Sequence, residues 1–73
     1  MKFKELRIKA GFQTAKEAAK SLGISYSMYH KIETGYREPG KELIKKMCEI
    51  FHCSIEDIFL AIEVTKSDNK NTA

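Results

Sequence analysis

The chain has 73 residues, of which 42% are hydrophobic and 32% charged, and a formal net charge of +3. One domain around one core fits that length, with only about 60% of the unfolded surface buried on folding, and the composition is that of a folded rather than a disordered chain. No 18-residue stretch is free of charge and no apolar segment follows the basic start MKFKELRIK, so neither a membrane span nor a signal peptide is expected.

A helical pattern begins near Lys2, with Phe3, Leu6 and Ala10 on one stripe, and stops at Gly11. Thr14-x-x-Glu17 is a capping box that opens a second helix, hydroxyl and carboxylate each satisfying an orphan amide. Ala15, Ala18, Ala19 and Leu22 line its inner face, and alanines there let a neighbouring helix come close. Gly23 closes that helix with positive φ. Ser25 is the N-cap of a third helix, whose inner face is Tyr29 and Ile32 with Met28, and Gly35 stops it. The loop Tyr36-Arg37-Glu38-Pro39-Gly40 follows, Pro39 enforcing an extended entry into the fourth helix. Leu43, Ile44, Met47, Cys48 and Phe51 then recur at helical spacing. Ser54-x-x-Asp57 opens a fifth helix, predicted to run to about Val64. The last nine residues, TKSDNKNTA, are polar without apolar periodicity and are expected to fray. The expected organisation is one domain over 1–64 and a flexible polar tail over 65–73.

Cys48 and Cys53 occupy apolar positions of helical patterns and read as reduced thiols of a cytoplasmic protein, since a disulfide across so short a loop would strain the helix end. The cluster Cys48-x-x-x-His52-Cys53 has no second ligand pair, so no metal is expected. Neither a Ser/His/Asp nor a Cys/His set falls on one pocket, which argues against an enzyme, and no cofactor is called for. Charge is uneven: residues 1–46 hold eleven Lys/Arg and five Glu, a net +6, whereas residues 47–73 hold two Lys and five acidic residues, a net −3. The first part therefore has an electrostatic bias toward polyanions.

Thr14 to Gly35, TAKEAAKSLGISYSMYHKIETG, is the most telling segment. Two short helices joined by a tight turn, small where they cross, form the unit that lets a helix enter the DNA major groove. Tyr26, Ser27, His30 and Lys31 lie on one face of the second.

Across residues 3 to about 60 the chain resembles the lambda-repressor/Cro-like, XRE-type helix-turn-helix family. The matching features are Leu6-Arg7 before Gly11, Ala19 and Gly23 at the crossing and turn, Ile24-Ser25, Ile32-Glu33-x-Gly35-x-Arg37-x-Pro39, and Ser54-Ile55-Glu56-Asp57-Ile58. The resemblance implies an all-α, five-helix lambda-repressor-like domain and a sequence-specific DNA-binding transcriptional regulator of repressor type. It implies an Arg7–Glu33 ion pair joining the first helix to the end of the third. Base contacts carried over are Tyr26, Ser27, His30 and Lys31. Lys31 can donate to guanine, Ser27 can bond either way, and Tyr26 can offer its hydroxyl or pack on a thymine methyl. Phosphate contacts carried over are Lys16, Ser25, Tyr36, Arg37 and Lys41. The sequence departs from the family at three places. Ala15 replaces a common phosphate-binding glutamine, the Gly11–Thr14 loop is one residue longer, and Tyr29 replaces a smaller aliphatic residue.

The fifth helix carries more apolar residues than one face needs. Ile55, Ile58 and Ile62 make a stripe toward the core, which leaves Phe59, Leu60 and Val64 partly outside it. Such a patch marks an interface, here of a two-fold homodimer on double-stranded DNA, with a monomer bearing an apolar C-terminal helix as the alternative. A dimer would set two reading helices about 34 Å apart on a near-palindromic operator. The rival function is an antitoxin-like or accessory regulator that uses the same fold to hold a protein partner.

Overall fold

The computed structural model describes the backbone of residues 2–71 and the side chains of residues 2–66. Its helices are α1 (Lys2–Lys9), α2 (Ala15–Leu22), α3 (Tyr26–Thr34), α4 (Lys41–Phe51) and α5 (Ile55–Asn71), and no strand occurs among the described residues. The all-α, lambda-repressor-like architecture read from the sequence is the one observed.

Local chemistry sets the helix ends. At α2 the Thr14 hydroxyl accepts from the Glu17 amide at 3.2 Å, and the Glu17 carboxylate accepts from the Thr14 amide at 3.0 Å. The same reciprocal box recurs at α5, where the Ser54 amide donates to Asp57 Oδ2 and the Asp57 amide to Ser54 Oγ, both at 3.1 Å. These bonds hold the Asp57 carboxyl below the usual carboxylate range. Gly23 ends α2 at φ 74°, and the Ile24 amide reaches back to the Ala19 carbonyl at 3.1 Å. That left-handed cap folds the chain back sharply enough for α3 to start at Tyr26. α4 is closed the same way by a non-glycine residue, His52, at φ 52° and ψ 47°, with the Cys53 amide donating to the Cys48 carbonyl at 3.2 Å.

Phe3, Leu22, Tyr29, Ile32, Met47 and Ile58 are the largest fully buried side chains. Each such aliphatic or aromatic burial is worth about 1.5–3 kcal/mol. Ala18 and Ala19 are buried where α2 meets α3, so the two helices pack without bulk between them. Phe12 meets Phe51 edge to face with centroids 6.0 Å apart, which closes the long α1–α2 loop over the end of α4. Cys48 and Cys53 are free thiols, half-buried.

α5 differs from its expected form in two ways. It runs on to Asn71 beyond the expected end at Val64, and Thr65 is only 3% exposed. Its inner stripe is Ile58, Ala61 and Thr65, with Ile55 half exposed instead of core-facing. A small residue and a polar one continue the 3.6-residue period there, so apolar counting lost the stripe. Residues 65–71, placed in the expected tail, thus continue the helical backbone of α5; residues 72 and 73 lie outside the described residues. Near this end Lys66 Nζ stands 2.7 Å from Glu38 Oε2, and the neighbouring Pro39 is buried. Among the described residues no helix is long and apolar enough to cross a membrane.

Candidate nucleic-acid interface

α3 divides cleanly into two faces. Tyr29, Ile32 and Glu33 are buried, while Tyr26, Ser27, His30 and Lys31 are all exposed on the outer side. The Ser25 side chain caps the helix by accepting from the Met28 amide at 3.1 Å. Its oxygen is thus engaged, and what it can still offer a phosphate is its hydroxyl proton. Tyr26 and His30, one turn apart, stack with centroids 5.8 Å apart and planes 26° from parallel.

The inner side of α3 is fastened by a buried polar cluster. Arg7 Nε lies 3.3 Å from Glu33 Oε2, and the side chains are 6% and 10% exposed. The approach is oblique, so the contact is a charge pair without an aligned hydrogen bond between those two atoms. Arg7 also donates through its terminal nitrogen to the Gln13 carbonyl at 2.9 Å and the Phe12 carbonyl at 3.4 Å. One guanidinium therefore holds the α1–α2 loop and α3 together. The Tyr29 ring is fully buried beside Glu33, and its hydroxyl makes no well-formed hydrogen bond. Burial first, and then the Glu33 carboxylate, push its ionisation far up, with Arg7 opposing. The larger residue at this position thus places its hydroxyl by the ion pair instead of in water.

Cations stand on the elements before and after α3. Lys16, Arg37 and Lys41 are exposed, as is Tyr36 at 75%. Lys41 is the first residue of α4, whose cap, Gly40, supplies no side-chain bond to the leading amides. Helix N-termini with free amides favour anions. Lys16 shares an open hollow of about 420 Å³ with Glu17, Ala19, Lys20, Ile24 and Tyr26. Lys20 was not singled out from the sequence, although its place one turn after Lys16 puts it on the same side of α2.

On α5 the exposed apolar residues stand on two flanks. At about 100° per residue, Ile55 and Phe59 fall on one side, Leu60 and Val64 on the other, with Glu56 and Glu63 between. Phe59, Leu60 and Val64 are 50%, 50% and 38% exposed. Phe59 lines an open groove of about 490 Å³ with Pro39, Ile44 and Ile62 on its apolar side and Glu38, Glu63 and Lys66 on its polar side.

A two-helix unit with a tight left-handed turn, buried inner face and polar outer face defines the helix-turn-helix class. The helix-turn-helix family model matches residues 3–58, and the chain belongs to that family, in its lambda-repressor/Cro-like, XRE-type branch. It is similar to the HTH-type transcriptional regulator ImmR of Bacillus subtilis (strain 168), with 33% identity over 67 residues that cover 92% of this chain and 52% of the relative. The chain thus spans about half the length of that curated relative. No solved structure gives a significant match.

Proposed function

We propose that this protein is a sequence-specific DNA-binding transcriptional regulator, acting as a repressor by occupying an operator. The observation that carries the reading is the outer face of α3. It presents Tyr26, Ser27, His30 and Lys31 to solvent from a helix held rigidly on its other side by Tyr29, Ile32 and Glu33. Tyr26, Ser27 and Lys31 supply the hydrogen-bonding groups that base edges in the major groove require of such a helix, and His30 stands against Tyr26. Lys16, Ser25, Tyr36, Arg37 and Lys41 contact phosphates on either side and set the register. Family membership and the transcriptional-regulator name of the ImmR relative support the same reading.

The operator-bound form is a homodimer that joins through Phe59, Leu60 and Val64 of α5 and reads a near-palindromic site. Half-sites then recur about one helical turn, some 34 Å, apart.

Selection of bound sequences from random double-stranded DNA tests the reading. A two-fold motif with a fixed spacing is the expected product. Affinity for the selected site falls about a thousandfold between 50 and 200 mM salt if two protomers each place Lys16, Arg37 and Lys41 on phosphates. Recovery of no motif, together with salt-independent capture of a protein by α5, would favour the partner-holding function instead.

A further inference from the structure

We propose that His30 is a positioning residue for Tyr26, so that the two stacked rings form one sequence-reading element on α3; this rests on the DNA-reading function above. The rings lie one turn apart on the exposed face, with centroids 5.8 Å apart and planes 26° from parallel, inside the range of favourable aromatic pairs. Tyr26 is 49% exposed and sits in the first turn of α3. Alone, a tyrosine so exposed moves among rotamers, and ordering it on DNA would oppose binding. Here His30 stacks on the ring and restricts it, beside the open hollow that Tyr26 lines with Ala19, Ile24, Lys16 and Lys20 of the preceding helix and turn.

The division of labour follows from position on the helix. In a helix-turn-helix, the N-terminal residues of the second helix meet base edges. Tyr26 is the first residue of α3, and His30 lies a full turn further along. Tyr26 therefore reads, through a hydroxyl that can donate or accept and a ring that can pack on a thymine methyl. His30 holds that ring before DNA arrives. The read position is one or two adjacent base pairs that include a thymine.

The test uses the full chain and selection from random double-stranded DNA, run in parallel for wild type, Tyr26→Ala, His30→Ala and His30→Phe. Tyr26 and His30 are exposed, so all four should melt alike, and far-UV circular dichroism checks this. Tyr26→Ala and His30→Ala are expected to lose preference at the same base pairs, with affinity for the best site down about tenfold. A Tyr26→Ala/His30→Ala double variant, run alongside these, should be no worse than Tyr26→Ala alone, because the effects belong to one unit. His30→Phe keeps a stacking ring without either nitrogen and should retain the wild-type preference. In the free protein, His30→Ala should shift the Tyr26 ring protons while His30→Phe leaves them upfield. Loss of preference in His30→Phe equal to that in His30→Ala would overturn the proposal, since the nitrogens would then be contacting DNA. So would loss at a different base pair in His30→Ala, or no loss at all. A wild-type protein that selects nothing removes the DNA-reading function and this proposal with it, an outcome distinct from the other three.

Discussion

Arg7 of α1 and Glu33 of α3 face each other across the core boundary at 3.3 Å, both at least nine-tenths buried. Removing one member of such a pair leaves a buried charge without its counter-ion, at a cost of about 3–5 kcal/mol. That is a large part of the roughly 5–15 kcal/mol that holds a small domain folded. Glu33→Ala should therefore lower stability markedly in thermal or urea unfolding, while the protein that remains folded keeps its base preference. Equal melting temperatures for variant and wild type would count against the pair.

The proposed dimer gives a second expectation. Phe59→Lys and Leu60→Lys place a charge on opposite flanks of α5, each on a half-exposed site that a monomer can spare. Sedimentation at micromolar concentration should show wild-type dimers, and both variants should be monomeric without loss of helix content. Wild type sedimenting as monomer both with and without DNA would end the dimer proposal.

His52 closes α4 in the left-handed region, which costs a side-chain-bearing residue about 1–2 kcal/mol relative to the ordinary helical basin. Glycine adopts that conformation freely, though it loses more entropy on folding. His52→Gly is thus expected to stabilise by up to about 1 kcal/mol. For a domain of this size that raises the melting midpoint by about 4–8 °C. An unchanged or lower midpoint would mean that His52 makes a compensating contact.

Alkaline pH should act through the α4–α5 corner. Burial, then the neighbouring Cys48 and Asp57, push the Cys53 thiol from its ordinary 9.0 up to about 11. The folded state thus holds this proton more tightly than the unfolded state does. The resulting stability is fully present below pH 9 and is lost as pH rises from 9 to about 11. The raised Tyr29 phenol acts in the same direction at the alkaline end. Melting temperatures measured from about pH 8 to 11 should fall more steeply for wild type than for Cys53→Ala. Parallel slopes would show that this thiol contributes nothing.

What could be read from the chain was the chemistry that acts over three or four residues. The capping boxes Thr14–Glu17 and Ser54–Asp57 and the left-handed glycines Gly23 and Gly35 are local, and they place the turn, the starts of α2 and α5 and the ends of α2 and α3. The exposure of Tyr26, Ser27, His30 and Lys31 was also within reach, because a helix whose inner face is Tyr29 and Ile32 must expose them, whereas the proposed phosphate contacts came through family resemblance. The Arg7–Glu33 pair spans 26 positions and was available only through family resemblance. Three features were illegible for physical reasons. α5 continues on Ala61 and Thr65, which carry little apolar signal; Ile55 turns outward because the core beneath α5 is centred on Ile58 and Ala61; and His52 pays a backbone cost that no residue preference announces. The Tyr26–His30 stack lay between these cases, visible as a spacing of four but not as a contact.

The Glu38–Lys66 contact joins the chain leaving α3 to the far part of α5, with Pro39 and Thr65 buried alongside. An exposed pair of this kind adds little stability by itself. Its consequence is mechanical: added to the direct packing of α3 on α5, it couples the orientations of the two helices. In a dimer built on α5, the crossing angle of the two α5 helices would then dictate the separation of the two α3 helices. Substitutions on α5 would change which spacer length between half-sites is accepted, while the half-site letters stayed the same.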